Sequence, residues 1–531
     1  MKQRIILIYL IFFIGNNIAF PQQKTHKISF DLTVASELQA SFKADGRLFL
    51  FMDVYPGREP RFCSPTSWSV CSFAKNITNW KFGDNLKIDS SFGWIKWQST
   101  PFLTYDDKEL GWKIIPGWSF ENIPEGTYYM QFLWDQETFE SPINSSGNIY
   151  SKVMEVKVDK SLEVNISLSE LIGPTEVIKH ELVKEISIKS DTLSKWWGRS
   201  VFVKASVLLP ARYSQNPNTV YPIRYNVAGY GGRYTRINNI IRDKTFMDWW
   251  LSDEAPQIIS VFLDGEGPFG DCYQMDSENN GPYGFNLIHE LIPYIESKYR
   301  GGNSPETRFT DGCSTGGWVS LALQLLYPDF FNGCYSYSPD PVDFENLVLT
   351  NIYKDKNAFI NEYGYLQPAR RHSFGKPQSS LKDWIQYENV LGTSNSYMNS
   401  GYQFGAYAAT FSPKGQNGLP MPLIDPITGK IDSLVAENWK KYDLKLYAEK
   451  NWNTIGPKIK GKIYIWMGDM DSYHLNFATH SLDNYLKSTK NPQSDAIIEF
   501  TPMNGHCTQY SNRKVLEQIE AKLAAIYCLN P

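Results

Sequence analysis

From about residue 198 to residue 531 the chain alternates apolar segments typical of buried strands with longer amphipathic segments typical of helices. The strand candidates include SVFVKASVLL, QIISVFLDG and KIYIWMGD, and a clear helix candidate is FNLIHELIPYIESKY. Parallel strands require crossover connections, which are usually helices. The alternation therefore predicts an α/β domain over 198–531, with a mainly parallel sheet covered by helices on both faces.

The rest of the chain follows other patterns. Residues 26–172 carry short apolar runs separated by turn clusters, which predicts a β-sandwich-like accessory domain. The polar, charged stretch 173–197 is predicted to be a linker. Inside the α/β domain, the segment at about 340–460 is irregular and rich in Asn, Gly, Pro and Tyr, which predicts a cap-like insertion over an active site.

The first 19 residues have the features of a signal peptide. Two basic residues precede the apolar run Ile5–Ile14, and the small residue Ala19 follows it. Ten apolar residues are too few to span a bilayer, which takes about 20, and no other segment is uninterrupted enough. We therefore expect no membrane span and a secreted or periplasmic protein, in which disulfides persist.

Charge and metal-ligand spacing exclude several classes of function. The net charge of −4 and a pI near 6.1 offer no basic stripe for phosphates, so no nucleic-acid partner is expected. Neither an HExxH motif nor a Cys/His ligand spacing is present, and the solitary pair His289 and Glu290 fits a helix surface. We expect neither a metal nor another cofactor; the sequence gives no indication of oligomeric state.

The segment Gly312-Cys313-Ser314-Thr315-Gly316 has the G-x-S-x-G pattern of a nucleophile elbow. It follows the short strand candidate TRFTDG and precedes the helix candidate GWVSLALQLLY, as an elbow requires. The alternative is a chance strand-to-helix turn. The context favours Ser314 as a catalytic nucleophile in an α/β-hydrolase fold.

A nucleophilic serine needs a base, and the base needs an acid to orient it, in the order Ser, Asp or Glu, His on this fold. Asp471 follows the strand KIYIWM and is preferred to Asp469 as the acid. His506 follows the strand AIIEFTP and is predicted to be the base. His474 is the rival base, but it comes only three residues after Asp471, so it lacks a strand-end loop of its own.

The tetrahedral intermediate of acyl transfer needs two N–H donors directed at its oxyanion. The N–H of Thr315, directly after the nucleophile, is predicted to be one of them. The run Gly229–Gly232 follows the strand YPIRYNVAG, and the N–H of Tyr230 within it is our first choice for the second donor. The alternative is that these glycines only form a tight turn.

These motifs resemble a known family. Residues from about 200 to 524 are similar to the esterase D or putative-esterase family. The similarity lies in the elbow, in the segments NGPYG, HELIPYIESKY and LYPDFF, and in the loops that carry Asp471 and His506. The resemblance implies acyl-ester hydrolysis, with members acting on feruloyl or acetyl groups of polysaccharides, S-formylglutathione or siderophore esters. Export argues against the glutathione thioester. The expected substrate is therefore a feruloyl-like or acetyl ester of a polysaccharide or related natural product.

The cysteines add three expectations. GCSTGG and GHC resemble the tannase and fungal feruloyl esterase family, in which one Cys precedes the serine and another follows the histidine, and this favours aryl esters. Because Cys313 and Cys507 are each adjacent to a residue of the proposed triad, their backbones should approach closely enough for a disulfide; two buried free thiols are the alternative. Cys63 and Cys71 lie eight positions apart and are candidates for a local disulfide, with a reduced pair as the alternative.

Two other functions remain open at this point. One is a serine peptidase, because the same fold and triad can hydrolyse amides. The other is a carbohydrate-binding protein with an inactive hydrolase domain. All candidate residues for the chemistry lie beyond about residue 195, so we expect activity on small esters to reside there.

Overall fold

The computed structural model describes residues 24–529 except 67–70, 99–118 and 138–141, and the predicted signal peptide lies outside these residues. The β-rich region contains the first eleven strands: β1 (Thr25–His26), β2 (Ile28–Val34), β3 (Gly46–Asp53), β4 (Cys71–Ile77), β5 (Leu86–Ile88), β6 (Ile95–Gln98), β7 (Ile123–Pro124), β8 (Gly126–Asp135), β9 (Ile149–Ser151), β10 (Met154–Val158) and β11 (Leu162–Leu171).

Nine of these strands form one continuous sheet in the order β5-β2-β11-β9-β8-β3-β4-β6, with β10 paired to β8. Apolar side chains of β2 and β11 pack in one cluster with those of β3 and β8, so the sheet folds over its own core. The sandwich-like core is present, but its strands are hydrogen-bonded into a single sheet.

Alternation along β3 gives this sheet a second apolar face. Leu48 and Leu50 point into the core of the β domain, whereas Phe49 and Phe51 belong to a separate buried cluster. Successive side chains of a strand lie on opposite faces, so both faces of β3 are apolar and both are covered. The second cluster includes Val390, which lies in the α/β domain. The accessory domain therefore packs directly on the cap region.

The predicted bridge between Cys63 and Cys71 is wrong. Cys63 is a buried free thiol at the end of a short 3-10 helix. Its sulfur lies 3.5 Å from the hydroxyl of Ser72 and 3.6 Å from that of Tyr387. Proximity along the chain suggested a local bridge, but the thiol is instead part of the apolar contact with the cap region.

The α/β domain is built on an eight-stranded sheet in the order β12-β13-β15-β14-β20-β21-β24-β25. Only the pairs β12–β13 and β13–β15 are antiparallel. The strands of this domain are β12 (Val183–Ser190), β13 (Val201–Leu208), β14 (Ile223–Val227), β15 (Ile259–Leu263), β16 (Glu266–Gly267), β17 (Gly270–Asp271), β18 (Asp276–Ser277), β19 (Gly281–Pro282), β20 (Arg308–Ser314), β21 (Cys334–Pro339), β22 (Pro368–Arg371), β23 (Pro377–Ser380), β24 (Ile463–Gly468) and β25 (Ile497–Thr501).

Helices cover the sheet, and four of them lie in the predicted cap. They are α1 (Asp191–Trp197), α2 (Ile237–Arg242), α3 (Lys244–Trp250), α4 (Tyr283–Asn286), α5 (Ile292–Lys298), α6 (Thr315–Leu326), α7 (Leu381–Leu391), α8 (Gln403–Phe411), α9 (Ser433–Trp439), α10 (Leu444–Ile455), α11 (Asn476–Ser488) and α12 (Asn512–Leu529). A π-helical turn, Leu287–Leu291, joins α4 to α5. This is the α/β-hydrolase fold.

The linker prediction over 173–197 needs correction, because β12 and α1 lie within it. The sequence VKEISIKS of β12 carries two lysines and a glutamate, which suggested a solvated connector. The strand is at the edge of the sheet, where charged side chains on the exposed face are usual. The α/β domain therefore begins at about Val183.

Within the described residues, no helix is long and apolar enough to cross a membrane.

Candidate active site

Ser314 lies at the junction between β20 and α6, where the chain makes a strained turn with φ 61° and ψ −125°. Flanking glycines make this turn possible. A Cβ on Gly312 would lie 2.4 Å from the carbonyl oxygen of Val227, and one on Gly316 would lie 2.1 Å from it. Neither distance is compatible with a side chain. The G-x-S-x-G pattern therefore allows β20 and α6 to pack tightly against β14 and still present the serine.

Asp471 and His506 lie on adjacent loops after β24 and β25. Nδ1 of His506 is 2.7 Å from Oδ2 of Asp471, which is fully buried. The other carboxylate oxygen accepts the backbone N–H of Tyr473 at 2.9 Å. The ring of Tyr473 also stands edge-on to His506, with centroids 5.0 Å apart. These contacts fix the orientation of the imidazole.

The electrostatic surroundings of His506 favour its protonated form. Burial lowers the pKa of His506, but the adjacent Asp471 raises it by charge and by its hydrogen bond. The charge of Asp340 raises it further, whereas Arg370 lowers it. The net pKa of His506 is above its ordinary value. An imidazole with this environment is a suitable acceptor for a proton from a nucleophile.

The other candidates from the sequence lie outside this arrangement. Burial, with the charge of Arg371, lowers the pKa of His474 to about 4. His474 also does not line the cavity that contains Ser314 and His506. Asp469 instead contacts Nε2 of His480 at 2.7 Å. The cap strand β22 reaches this loop, because Arg371 donates to the backbone carbonyls of Asp469 and Asp471.

The histidine loop is attached to the elbow at two points. A disulfide joins Cys313 to Cys507, as predicted, with their Cα atoms 6.0 Å apart. Tyr510 donates its hydroxyl proton to Asp311 of β20 at 2.8 Å, and Arg224 binds the same buried carboxylate with two hydrogen bonds. Together these links hold the loop of His506 against the strand that carries the serine.

The two predicted oxyanion donors lie beside Ser314. Thr315 is the first residue of α6, where backbone N–H groups have no partner within the helix. The loop of Tyr230 passes close to the elbow, since a Cβ on Gly229 would lie 3.6 Å from that of Ser314. The hydroxyl of Tyr230 donates to the carbonyl of Gly401, which ties this loop to the cap.

Asp340, directly after β21, is a residue of the site that the sequence analysis missed. Its Oδ1 lies 3.3 Å from Oγ of Ser314 and is the only hydrogen-bond partner of that hydroxyl among the described residues. Burial raises the pKa of this carboxyl, which is 3% exposed. Its place at the end of a central parallel strand was the available signal, because ligand sites gather at such ends.

A cavity of about 650 Å³ joins these parts. Ser314, His506 and Asp340 line it, and the cap contributes the aromatic side chains of Trp384, Phe404 and Tyr407, with Tyr230 and Tyr473 from the loops. Aromatic walls with a few polar groups are typical of small-molecule sites.

One group of three potential metal-ligating side chains occurs in the described part of the chain: Cys313, His506 and Cys507. Because the two sulfurs are bonded to each other, neither is available as a thiolate ligand.

A model of the family described as "Putative esterase" matches residues 201–511. No curated protein matches the chain. Among solved structures, the chain is similar to a ferulic acid esterase, with 15% identity and a TM-score of 0.38 over 65% of this chain and 95% of that one. It is also similar to FphF, a fluorophosphonate-binding serine hydrolase of Staphylococcus aureus, with 13% identity and a TM-score of 0.37 over 64% and 98%.

A third similar structure is an S-formylglutathione hydrolase from Agrobacterium tumefaciens, with 13% identity and a TM-score of 0.35 over 64% of this chain and 93% of that one.

Proposed function

The chain belongs to the "Putative esterase" family and is a carboxylic ester hydrolase, and we propose that it acts as an exported serine esterase with Ser314 as nucleophile. His506 is the base and Asp471 the acid that orients it. The observation that carries this proposal is the 2.7 Å contact between His506 and Asp471, at a cavity that also contains the strained elbow of Ser314.

In this mechanism Oγ of Ser314 attacks the acyl carbon while His506 accepts the hydroxyl proton. The hydrogen bond from Nδ1–H to Asp471 leaves the other ring nitrogen free to act as base and stabilises the imidazolium. The N–H groups of Thr315 and Tyr230 stabilise the oxyanion. His506 then gives its proton to the leaving alcohol, and water hydrolyses the acyl-enzyme by the same steps.

The shape of the cavity supports an aromatic acyl group. An acetyl group would occupy little of about 650 Å³, whereas Trp384, Phe404 and Tyr407 can contact an aryl ring by stacking or edge-to-face packing. We therefore propose a feruloyl-like acyl group, on a polysaccharide or related natural ester, as the leading substrate class. Acetyl esters are the second.

Export is proposed on two grounds. The first 19 residues have the pattern of a signal peptide. The structure also contains a disulfide between Cys313 and Cys507, a bond that is rare in reducing compartments. A secreted or periplasmic location fits both observations.

The decisive experiment incubates the purified protein with feruloylated and acetylated oligosaccharides, simple aryl esters and peptides, and identifies the acids released. We expect feruloyl esters to be cleaved fastest and peptides not at all. Ser314→Ala should lower the activity by several orders of magnitude while the protein stays folded. Ser488→Ala, an exposed serine on α11, is the matched control and should behave as wild type.

Turnover by Ser314→Ala close to that of the wild type would reject the serine mechanism. Release of amino acids from the peptides would favour the peptidase alternative, and oligosaccharide binding without release of any acid would favour the inactive domain.

A further inference from the structure

The carboxylate of Asp340 is fixed on one side and open on the other. Its Oδ2 accepts hydrogen bonds from Oη of Tyr273 at 2.6 Å, Oγ1 of Thr315 at 2.8 Å and Nε2 of Gln403 at 3.2 Å. Its Oδ1 has one partner among the described residues, the hydroxyl of Ser314 at 3.3 Å. The carboxylate is thus held rigidly, with a single acceptor oxygen facing the nucleophile.

That single hydrogen bond cannot survive the reaction proposed for Ser314. The serine hydroxyl has one proton, and this proton moves to His506 when Oγ attacks the acyl carbon. Oδ1 of Asp340 is then left without a donor in a site closed from bulk water by substrate. A buried carboxylate oxygen without a hydrogen bond is costly, so a donor from the substrate would stabilise this state.

The position of Asp340 indicates which part of the substrate supplies that donor. In the sheet, β21, which leads into Asp340, lies between the strand of Ser314 and the strands β24 and β25, and the loop of His506 follows β25. The N–H of Cys507 donates to the hydroxyl of Ser338, two residues before Asp340, at 3.1 Å, so Asp340 and His506 lie on the same side of the nucleophile. The leaving alcohol must also be on that side, because His506 protonates it. Oδ1 of Asp340 therefore faces the alcohol part of the ester rather than the acyl part.

We propose that Asp340 is a specificity-determining residue that accepts a hydrogen bond from a free hydroxyl group beside the acylated one. This proposal rests on the proposed role of Ser314. The substrate class is then a partial ester of a vicinal diol, as in a sugar ring that carries one acyl group next to an unmodified hydroxyl. A hydroxyl on the neighbouring carbon is only a few bonds from the reacting centre and can reach Oδ1.

Selectivity of this kind is strong because a mismatch leaves a polar group unpaired. A site with a buried hydrogen-bonding group discriminates more sharply against a substrate that lacks the matching group than a purely apolar site does. A carboxylate that is already satisfied at Oδ2 offers only an acceptor at Oδ1. It should therefore reject an ester in which the neighbouring oxygen is methylated.

The test compares trans-2-hydroxycyclohexyl cinnamate with trans-2-methoxycyclohexyl cinnamate, which differ only in that proton donor and one methyl group. We expect kcat/KM of the wild type to be at least tenfold higher for the free hydroxyl. In Asp340→Asn the three donors at Oδ2 should hold the amide oxygen and turn the NH₂ group toward the substrate, so the ratio should fall to about one.

Asp469→Asn is the matched control, since this carboxylate contacts His480, and it should keep the wild-type ratio. Asp340→Ala provides a second variant if Asp340→Asn unfolds, as judged by thermal denaturation, and its ratio should also be about one.

A wild-type ratio near one overturns the proposal, as does a ratio that survives in the folded Asp340 variant. A stronger preference for esters of 2-hydroxy acids also overturns it, because the acceptor would then face the acyl side. Failure to hydrolyse even p-nitrophenyl acetate would instead refute the proposed function, and the inference would fall with it.

Discussion

Nδ1 of His506 lies 2.7 Å from Oδ2 of Asp471, although 35 residues and the whole of α11 and β25 separate them in the chain. The contact exists because β24 and β25 are parallel neighbours, so both loops emerge at the same edge of the sheet. Parallel strands bring successive strand-end loops together. Each of the three proposed catalytic residues lies at the end of a different strand of this sheet.

Replacing Asp471 tests its assignment as the orienting acid. Asp471→Asn should lower kcat by about 10⁴-fold, because the amide would favour the wrong imidazole tautomer. Asp469→Asn should have a mild effect, since Asp469 contacts His480 and not His506. Steady-state kinetics on an aryl ester measure both variants, and the reverse ranking would assign the acid role to Asp469.

The pH dependence of kcat/KM should reflect the raised pKa of His506. A base must be neutral to accept the serine proton, so activity should fall as the pH drops through the pKa of His506. The effects of Asp471 and Asp340 on the pKa of His506 outweigh those of burial and Arg370. The midpoint of the acidic limb of the pH–rate profile should therefore lie above 6.5, the ordinary pKa of histidine. Removing one negative charge in Asp340→Asn should move the limb to lower pH.

A pH–rate profile on p-nitrophenyl acetate measures that limb, and Asp469→Asn should leave it in place. A limb that stays unchanged in Asp340→Asn would show that this carboxyl carries no charge near His506.

The disulfide between Cys313 and Cys507 should support both stability and catalysis. Its sequence separation of 194 residues corresponds to about 5 kcal/mol in the chain-entropy model, and measured values are often smaller. The double variant Cys313→Ser/Cys507→Ser should unfold at a lower urea concentration and have a lower kcat, because the histidine loop is less well positioned.

Urea denaturation and peptide mapping under non-reducing conditions test this pair. Recovery of both cysteines as free thiols from fully active protein would contradict the bridge and leave the proposed triad untouched.

The accessory domain should be needed for full activity, contrary to the expectation drawn from the sequence. Arg47 of β3 donates to the carbonyl of Val390 in α7 at 3.0 and 2.8 Å, and α7 carries Trp384 of the cavity. Arg47→Met should leave that carbonyl unpaired and cost about 1–3 kcal/mol. A fragment 195–531 would also lose β12 and should not hydrolyse small esters.

Thermal unfolding and aryl-ester kinetics on Arg47→Met measure the effect, with Arg513→Met, a half-exposed arginine of α12, as a control. A folded fragment 195–531 with wild-type kcat would show instead that the cap reaches its active arrangement without the accessory domain.

The proposed triad could be predicted from the sequence because each member follows a recognisable strand. Ser314 has its glycines, and Asp471 and His506 follow two short apolar runs in the order that the fold requires. These signals are local, so one sequence is enough to read them. The strand β12 was missed for the opposite reason, since its charged edge face resembles a linker.

Asp340 and Cys63 illustrate what local signals leave out. The environment of Asp340 is created by Tyr273 and Gln403, which are 67 and 63 residues away in the chain. Cys63 is buried by Tyr387, at a distance of 324 residues. No pattern near either residue indicates these partners, because they meet only when the cap and the accessory domain pack on the sheet.

The bridge between Cys313 and Cys507 also closes a covalent ring that contains the entire cap. Tyr363 and Tyr365 are highly exposed within that ring and are suitable sites for a chymotrypsin-like protease. A cut there would divide the backbone into one piece with Ser314 and another with His506. The two pieces would remain covalently joined beside the nucleophile, so an enzyme nicked in the cap keeps its reacting groups on one molecule.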